Sequence, residues 1–254
     1  MNIINRRDLA LLEEKFSGEA LDRAKQRVVN GEPLAYVLGE WFFYGLAFKL
    51  NDACLIPRPD TEHIVDKAIE LIPKNTVIAD LCTGSGCIAI SILKHRADLT
   101  CVAVDISEKA LAAAKENARA NGVSERVRFV CADLLTDSPT EILGEQKLGA
   151  VVSNPPYICT DVIPSLETVR HEPIAALDGG DDGLAFYRAL TKDYKHSLDV
   201  NGVIIFEIGY DQARSIKKIA DGEGFSCSVF KDYGQNDRVA VLTPSHPSSQ
   251  KELQ

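Results

Sequence analysis

Several short segments of the 254-residue chain end an apolar run on a group capable of chemistry. One is Val151-Val152-Ser153-Asn154-Pro155-Pro156-Tyr157-Ile158, where a run suited to a buried strand meets an amide, two prolines and an aromatic ring. The Asn154 and Pro155 carbonyls can together accept both N–H bonds of a planar NH2 group, and the fixed proline φ angles hold the two acceptors in place. Tyr157 offers a flat face to a planar group or to a passing positive charge. Asn-Pro and Pro-Pro are also common turn dipeptides, so this segment takes its meaning from its surroundings.

Three further run ends describe a ligand beside it. In "ADLCTGSGCIAI" (79–90) a strand passes through a glycine-rich turn into a helix, and Gly84 and Gly86 let backbone approach a bound molecule closely. Gly84, Gly86 and Ala89 also satisfy a loose dinucleotide pattern, but Asp80 would repel a pyrophosphate and favours a cationic ligand. S-adenosylmethionine carries an ammonium and a sulfonium and no phosphate. Asp105 ends the next run, 21 residues after Gly84, where a carboxylate can accept both ribose hydroxyls. In "CADLL" (131–135), Asp133 and the Leu134 backbone N–H can pair with the exocyclic amine and a ring nitrogen of adenine. Each run end alone is compatible with an ordinary turn; three in order are far more specific. The group gripped next to this ligand is then an amino or amide nitrogen, and the motif leaves amide and adenine equally open.

The elements that must position these groups follow from periodicity. Strand-like runs at Val77–Leu81, Thr100–Asp105, Val127–Cys131, Ala150–Ser153 and Val203–Ile208 alternate with helical patterns at Ile88–His95, Glu108–Asn121, Leu184–Leu198 and Gln212–Glu223. Such alternation implies a doubly wound, mostly parallel sheet. Two final runs, Ser226–Phe230 and Val239–Leu242, have no helix between them and read as an antiparallel hairpin at the sheet edge. The expected organisation is a helical segment over 1–30, an aromatic-rich β-hairpin connector over 31–62, the main domain over 63–243 and a disordered tail over 244–254. Trp41, Phe42, Phe43 and Tyr44 are expected in the core.

Composition excludes several classes. Lys+Arg 28 against Asp+Glu 37 gives a formal charge of −9, with no basic block, which disfavours direct binding to nucleic acid. No window approaches the roughly 18 uninterrupted apolar residues of a membrane span, so a cytoplasmic protein without membrane attachment is expected. The seven cysteines are odd in number and lack CxxC spacing, so they are expected as reduced core residues, with no metal site.

Asp80–Gly86, Asp105, Asp133 and Asn154–Tyr157 resemble the class I methyltransferases that methylate planar nitrogens, adenine-N6 and glutamine-N5 enzymes among them. The flanking text narrows the resemblance. "LIPRPDTE" (55–62), "EPIAALDGGDDGLAFYR" (172–188), "FEIGYDQ" (206–212) and "KDYGQNDRVAV" (231–241) are similar to the glutamine-N5 methyltransferase family of peptide chain release factors, over roughly residues 31–242. The resemblance implies a class I methyltransferase, Rossmann-like seven-stranded sheet with a C-terminal antiparallel hairpin, preceded by a small helical domain and a connecting β-hairpin. It implies S-adenosylmethionine as cofactor and the GGQ-loop glutamine of release factors 1 and 2 as substrate. Carried over, Asp80, Leu81, Cys82, Thr83, Gly84 and Gly86 shape the methionine end, Asp105 holds ribose, and Asp133 and Leu134 hold adenine. Asn154, Pro155, Pro156 and Tyr157 bind the substrate amide, with Asn154 also beside the cofactor and Asn154, Pro155 and Tyr157 in the catalytic role. The chain departs from the family pattern at Cys82, where glycine is frequent, and in a shorter segment before Gly31.

Other residues carry weaker expectations. Arg58 and Glu62 suit either the substrate side of the cofactor or a salt bridge between segments. Glu172-Pro173 and Asp178–Gly183 suit a substrate rim. None of His63, His95, His171, His196 and His246 is placed to act as a base, so the product proton is expected to leave to water or a backbone carbonyl. A ribosomal-protein glutamine, adenine in nucleic acid, and a non-catalytic cofactor-binding role are the competing readings.

Overall fold

Apolar residues at alternating positions along the central strands face two helical layers, and this decides the architecture. The computed structural model describes residues 4–166 and 171–245. Its main sheet contains β3 (Val77–Leu81), β4 (Thr100–Asp105), β5 (Val127–Cys131), β6 (Leu148–Ser153), β7 (Leu198–Glu207), β8 (Phe225–Lys231) and β9 (Asp237–Pro244), in the order β5-β4-β3-β6-β7-β9-β8. The first five are parallel, and β9 runs antiparallel to both β7 and β8. Along β3, Ile78 packs under α4 (Glu62–Leu71), α5 (Cys87–His95) and α6 (Glu108–Ala120). Ala79 and Leu81 point the other way, toward α8 (Ala185–Tyr194) and α9 (Ala213–Gly222). Because β3 is covered on both faces, four of its five residues are buried.

Before the sheet, α1 (Arg6–Lys15), α2 (Gly18–Val29) and α3 (Leu34–Leu38) close a small core around Leu12, Ala24, Val37 and Leu38. The hairpin of β1 (Glu40–Phe43) and β2 (Leu46–Lys49) turns at Tyr44-Gly45, both with positive φ (51° and 72°), as a right-twisted two-residue hairpin requires. Phe43 and Phe48 are buried. Phe42 is 70% exposed, against the expected core placement, because alternation along β1 turns it away from the face that carries Phe43. The hairpin is fastened to the sheet layer by Asn117, whose amide bridges the Lys49 N–H and carbonyl and the Ser85 carbonyl at 2.7–3.0 Å.

Several elements differ from the expected ones, among them α3, which lies inside the segment expected as a hairpin connector. The helix expected to reach Leu198 ends at Tyr194, and Leu198 opens β7 because it pairs with Leu148 at an early start of β6. A short helix α7 (Pro139–Leu143), set by the Ser138–Glu141 capping box, was not anticipated. Pro244 and Ser245, assigned by sequence to the tail, pair with Phe225 and bond to Gly224, while 246–254, including His246, lies outside the described residues. All seven cysteines are free; Cys131, expected in the core, is exposed because β5 is an edge strand. Among the described residues no helix is long and apolar enough to cross a membrane.

Candidate active site

The chain winds outward from β3 through β4 to β5 and then returns to β6 on the other side of β3, which opens a crevice at the carboxyl ends of these strands. Register places the expected residues level with one another. Leu81 lies opposite Ser153, so Cys82 and Asn154 leave neighbouring strands side by side. Asp105 lies opposite Cys131, and Ser153 opposite Phe206, which brings Glu207 level with Asn154. A cavity of about 430 Å³ occupies the crevice, within the range of small-molecule sites. Asp105, Asp133 and Asp178 contribute carboxylates to its wall and Arg58 its only guanidinium among the described residues.

At the turn after β3, Cys82, Thr83 and Gly84 line the cavity. A Cβ built on Gly84 meets nothing within 4 Å, so the glycine leaves an open cradle where a ligand can approach backbone. Cys82 has φ +62°, a conformation that favours glycine, and burial pushes its thiol up, so it stays neutral. Gly86, Leu81 and Asp80 do not reach the wall. Gly86 (φ +80°) is instead a packing position, since a Cβ there would stand 2.9 Å from Ile90 and 3.2 Å from Ala114. Leu81 is fully buried between helices and sheet.

Asp80, expected to shape the methionine end of the cofactor site, lies behind the turn rather than on the cavity wall. It is 0% exposed, and its Oδ2 accepts from the Thr83 hydroxyl (2.6 Å) and the Ala89 N–H (3.2 Å), bracing the turn from behind. Oδ1 has no partner, and burial pushes the carboxyl up to about 7. A carboxyl raised in the fold binds its proton more tightly there than in the unfolded chain. Its contribution is therefore fully present below about pH 4 and is lost as pH rises toward 7, by on the order of 4 kcal/mol. Asp80→Asn is expected to flatten that decline, read as urea midpoints compared between pH 5 and pH 8; parallel pH profiles in both proteins would refute it.

Asp105 stands at the wall with both oxygens engaged by backbone, accepting from Gly84 N–H (2.8 Å) and Ser107 N–H (2.9 Å). Each oxygen keeps a second lone pair for a ligand hydroxyl. Asp133 shapes its own turn by accepting from Leu135 N–H (2.9 Å), while among the described residues the Leu134 N–H meets no acceptor and remains available. Ile106 and Leu135, 57% and 49% exposed, add apolar surface to the same wall. Sequence reading missed both. Their signal was position, one residue after Asp105 and two after Asp133.

Asn154 and Pro156 line the cavity; Pro155 and Tyr157 do not. Asn154 Nδ2 donates to Thr61 Oγ1 (3.2 Å), which leaves its carbonyl free. The Pro155 carbonyl accepts no hydrogen bond from the described residues. Tyr157, expected as an open flat face, packs its ring against the core and donates its hydroxyl to Glu207 (3.2 Å). The glycine-rich loop buttresses the motif: a Cβ on Gly183 would lie 2.4 Å from the Tyr157 carbonyl, and one on Gly179 2.7 Å from Tyr157 Cα. Of the alternatives for Arg58, both hold in part. It reaches the wall, and its Nη2 donates to both oxygens of buried Glu172 (2.8 and 2.6 Å), tying the 56–58 segment to the loop that carries Pro173, Ala175 and Ala176. Glu62 faces away and accepts from Tyr44 N–H. No histidine lines the cavity among the described residues.

The model of the methyltransferase small domain matches residues 63–165, the span that holds every cavity-facing strand end from Cys82 to Asn154. The release factor glutamine methyltransferase of Clostridium acetobutylicum is 42% identical over 82% of this chain and 74% of its own length. The chain belongs to the release factor glutamine methyltransferase family. The Moorella thermoacetica relative of the same name is 41% identical over 91% of this chain and 82% of its own. A methyltransferase from Pyrococcus furiosus shares the fold at TM-score 0.58 and 14% identity, over 89% of this chain and 100% of that one. The sheet order and the antiparallel β8–β9 edge are thus those of a class I methyltransferase. Among residues of the flanking segments, Thr61, Gly179, Gly183 and Glu207 touch the Asn154–Tyr157 motif, Glu172 holds Arg58, and Pro173 and Asp178 line the cavity.

Proposed function

We propose that this chain transfers the methyl group of S-adenosylmethionine to the side-chain N5 of a glutamine, the glutamine of the GGQ loop in peptide chain release factors 1 and 2. The observation that carries the reading is the free Asn154 carbonyl, fixed at the wall of an acidic cavity by the bond from its amide to Thr61.

The residues present fit that cofactor. Carboxylates on the wall favour a cation over a phosphate, and the Gly84 cradle admits a ligand against backbone. Cys82, Thr83 and Gly84 hold the amino-acid end, Asp105 the ribose, and the Leu134 N–H with Asp133 the edge of adenine, with Ile106 and Leu135 against its faces. When bound, S-adenosylmethionine supplies an electrophilic methyl on a sulfonium, and S-adenosylhomocysteine is what remains after transfer. The chain's own residues must make a poor nucleophile react, because an amide nitrogen shares its lone pair with the carbonyl. The Asn154 carbonyl accepts one N–H of the substrate amide and the Pro155 carbonyl the other, which directs the lone pair and favours positive charge on nitrogen. Fixing the reacting groups in line contributes up to about 7–11 kcal/mol. Each neutral hydrogen bond nets only about 0.5–1.5 kcal/mol, so positioning dominates. The proton leaves to water or a backbone carbonyl, since no histidine lines the wall among the described residues.

The test incubates the purified chain with methyl-labelled S-adenosylmethionine and release factor 1 or 2, native or with the GGQ glutamine replaced by alanine. Label is expected on the native factors alone. Equal labelling of both forms, or label on a ribosomal protein or an adenine-containing oligonucleotide instead, would overturn the assignment, and no transfer to any acceptor would favour a non-catalytic role.

A further inference from the structure

An asparagine at the end of β6 could face the cavity with either end of its amide. A carbonyl there accepts from a substrate NH2, whereas an NH2 group repels it, so the orientation decides whether the site works at all. We infer that Glu207 sets this orientation through Thr61, making both of them positioning residues for Asn154. This rests on the reading of Asn154 as the acceptor for the substrate amide.

The direction of each hydrogen bond carries the inference. Thr61 and Glu207 are each 2% exposed, so neither exchanges partners readily with water. Ionised Glu207 is acceptor-only. Its Oε2 takes the Thr61 hydroxyl proton at 2.6 Å and its Oε1 the Tyr157 hydroxyl proton at 3.2 Å. A threonine hydroxyl has one proton, and with that proton committed to Glu207 it can only accept from Asn154. Nδ2 is the donating end of Asn154, found 3.2 Å from Thr61 Oγ1, and the carbonyl is therefore turned to the cavity. One buried carboxylate thus orders both ends of Asn154-Pro155-Pro156-Tyr157.

The carboxylate is itself held from several sides. Strand pairing puts Glu207 opposite Val239 and its backbone carbonyl accepts from the Tyr187 hydroxyl at 2.8 Å; burial pushes its carboxyl up, and the Thr61 hydroxyl and the charge of Arg238 oppose that rise. Thr61 arrives from the segment before α4, Asn154 from β6 and Glu207 from β7, so the arrangement exists only in the folded chain. A purely structural role, pinning the start of α4 to the sheet, would use the same contacts but would be indifferent to Asn154.

The experiment compares Thr61→Val, Thr61→Ser, Asn154→Ala and the Thr61→Val/Asn154→Ala double variant for kcat, KM for release factor, S-adenosylhomocysteine affinity by calorimetry, and thermal unfolding. Valine matches threonine in shape and removes the hydroxyl. Thr61→Val is expected to lower kcat roughly tenfold or more, with S-adenosylhomocysteine affinity held within about twofold. Thr61→Ser should restore kcat to within about threefold of the native value. In the Asn154→Ala background Thr61→Val should add almost nothing, because residues acting through one another are non-additive. Glu207→Gln, which can donate toward Thr61 and reverse the bond, should lower kcat as Thr61→Val does; if it does not fold, the threonine cycle decides alone. Additive losses, native kcat in Thr61→Val with Asn154→Ala impaired, or no rescue by serine would each overturn the inference. Native kcat in Asn154→Ala would instead overturn the reading of Asn154 on which it rests.

Discussion

Asn154→Ala is expected to lower kcat for methyl transfer by at least tenfold, equivalent to about 1.4 kcal/mol, while S-adenosylhomocysteine binds with nearly native affinity. The loss reaches about 10²–10³ if the carbonyl acts mainly on charge that develops in the transition state, as preorganised polar groups in other active sites do. The backbone at this position is held independently of the side chain, by Pro155 and Pro156, by the Ser153 hydroxyl on the Leu81 carbonyl, and by the glycine loop packed on Tyr157. Truncation therefore removes one acceptor without releasing the strand end. It also leaves Thr61 still bonded to Glu207, so no buried carboxylate is orphaned. Turnover at saturating release factor together with calorimetric affinity for S-adenosylhomocysteine provides the check. A loss of cofactor affinity as large as the loss in kcat would make Asn154 a cofactor ligand first.

Asp105→Ala is expected to weaken cofactor binding by about 100-fold or more, since two hydrogen bonds to a charged acceptor contribute about 1.5–3 kcal/mol each. The side chain acts twice, as an acceptor at the wall and as the anchor of the Gly84 N–H (2.8 Å), so its removal also loosens the turn that forms the cradle. Burial raises the Asp105 carboxyl above the ordinary carboxylate range. Protonation therefore begins at a higher pH than for a free aspartate, and with it the loss of an acceptor for ribose. Cofactor affinity should fall as pH is lowered through that raised value in the native protein and should be nearly flat over the same window in Asp105→Ala. Calorimetric titration with S-adenosylhomocysteine across the acid range tests both parts, and an acid-side loss of equal size in the variant would show that another group is titrating.

The parts of the fold written in local patterns were legible. Runs such as Thr100–Asp105 and Val127–Cys131 coincide with β4 and β5 because strands covered on at least one face by helices must be continuous and apolar, and the absence of a helix between β8 and β9 required an antiparallel edge. The cavity-lining members of the expected set, Cys82, Thr83, Gly84, Asp105, Asp133, Leu134, Asn154 and Pro156, were accessible for the same reason: in a parallel sheet the residue after a strand lies at the crevice. Asp80 shows the limit of that rule. It precedes the turn by the right number of residues, yet its pleat direction turns it under α5, where it braces Thr83 and Ala89 and does not line the cavity. The packing of Tyr157 was not legible for a related reason, since its partner, Glu207, lies 50 residues away.

By itself, then, the sequence determined the order of strands and helices, the residues that end each strand, and, through the flanking segments, the family. Those follow from periodicity, turn chemistry and resemblance, all of which are local or linear. Only the tertiary structure decided which end of the Asn154 amide faces the cavity, that Arg58 is clamped by Glu172, and that Gly179 and Gly183 pack against Tyr157. These depend on pairings between segments as distant as Thr61 and Glu207, where the direction of a hydrogen bond is set by which neighbour already holds the proton.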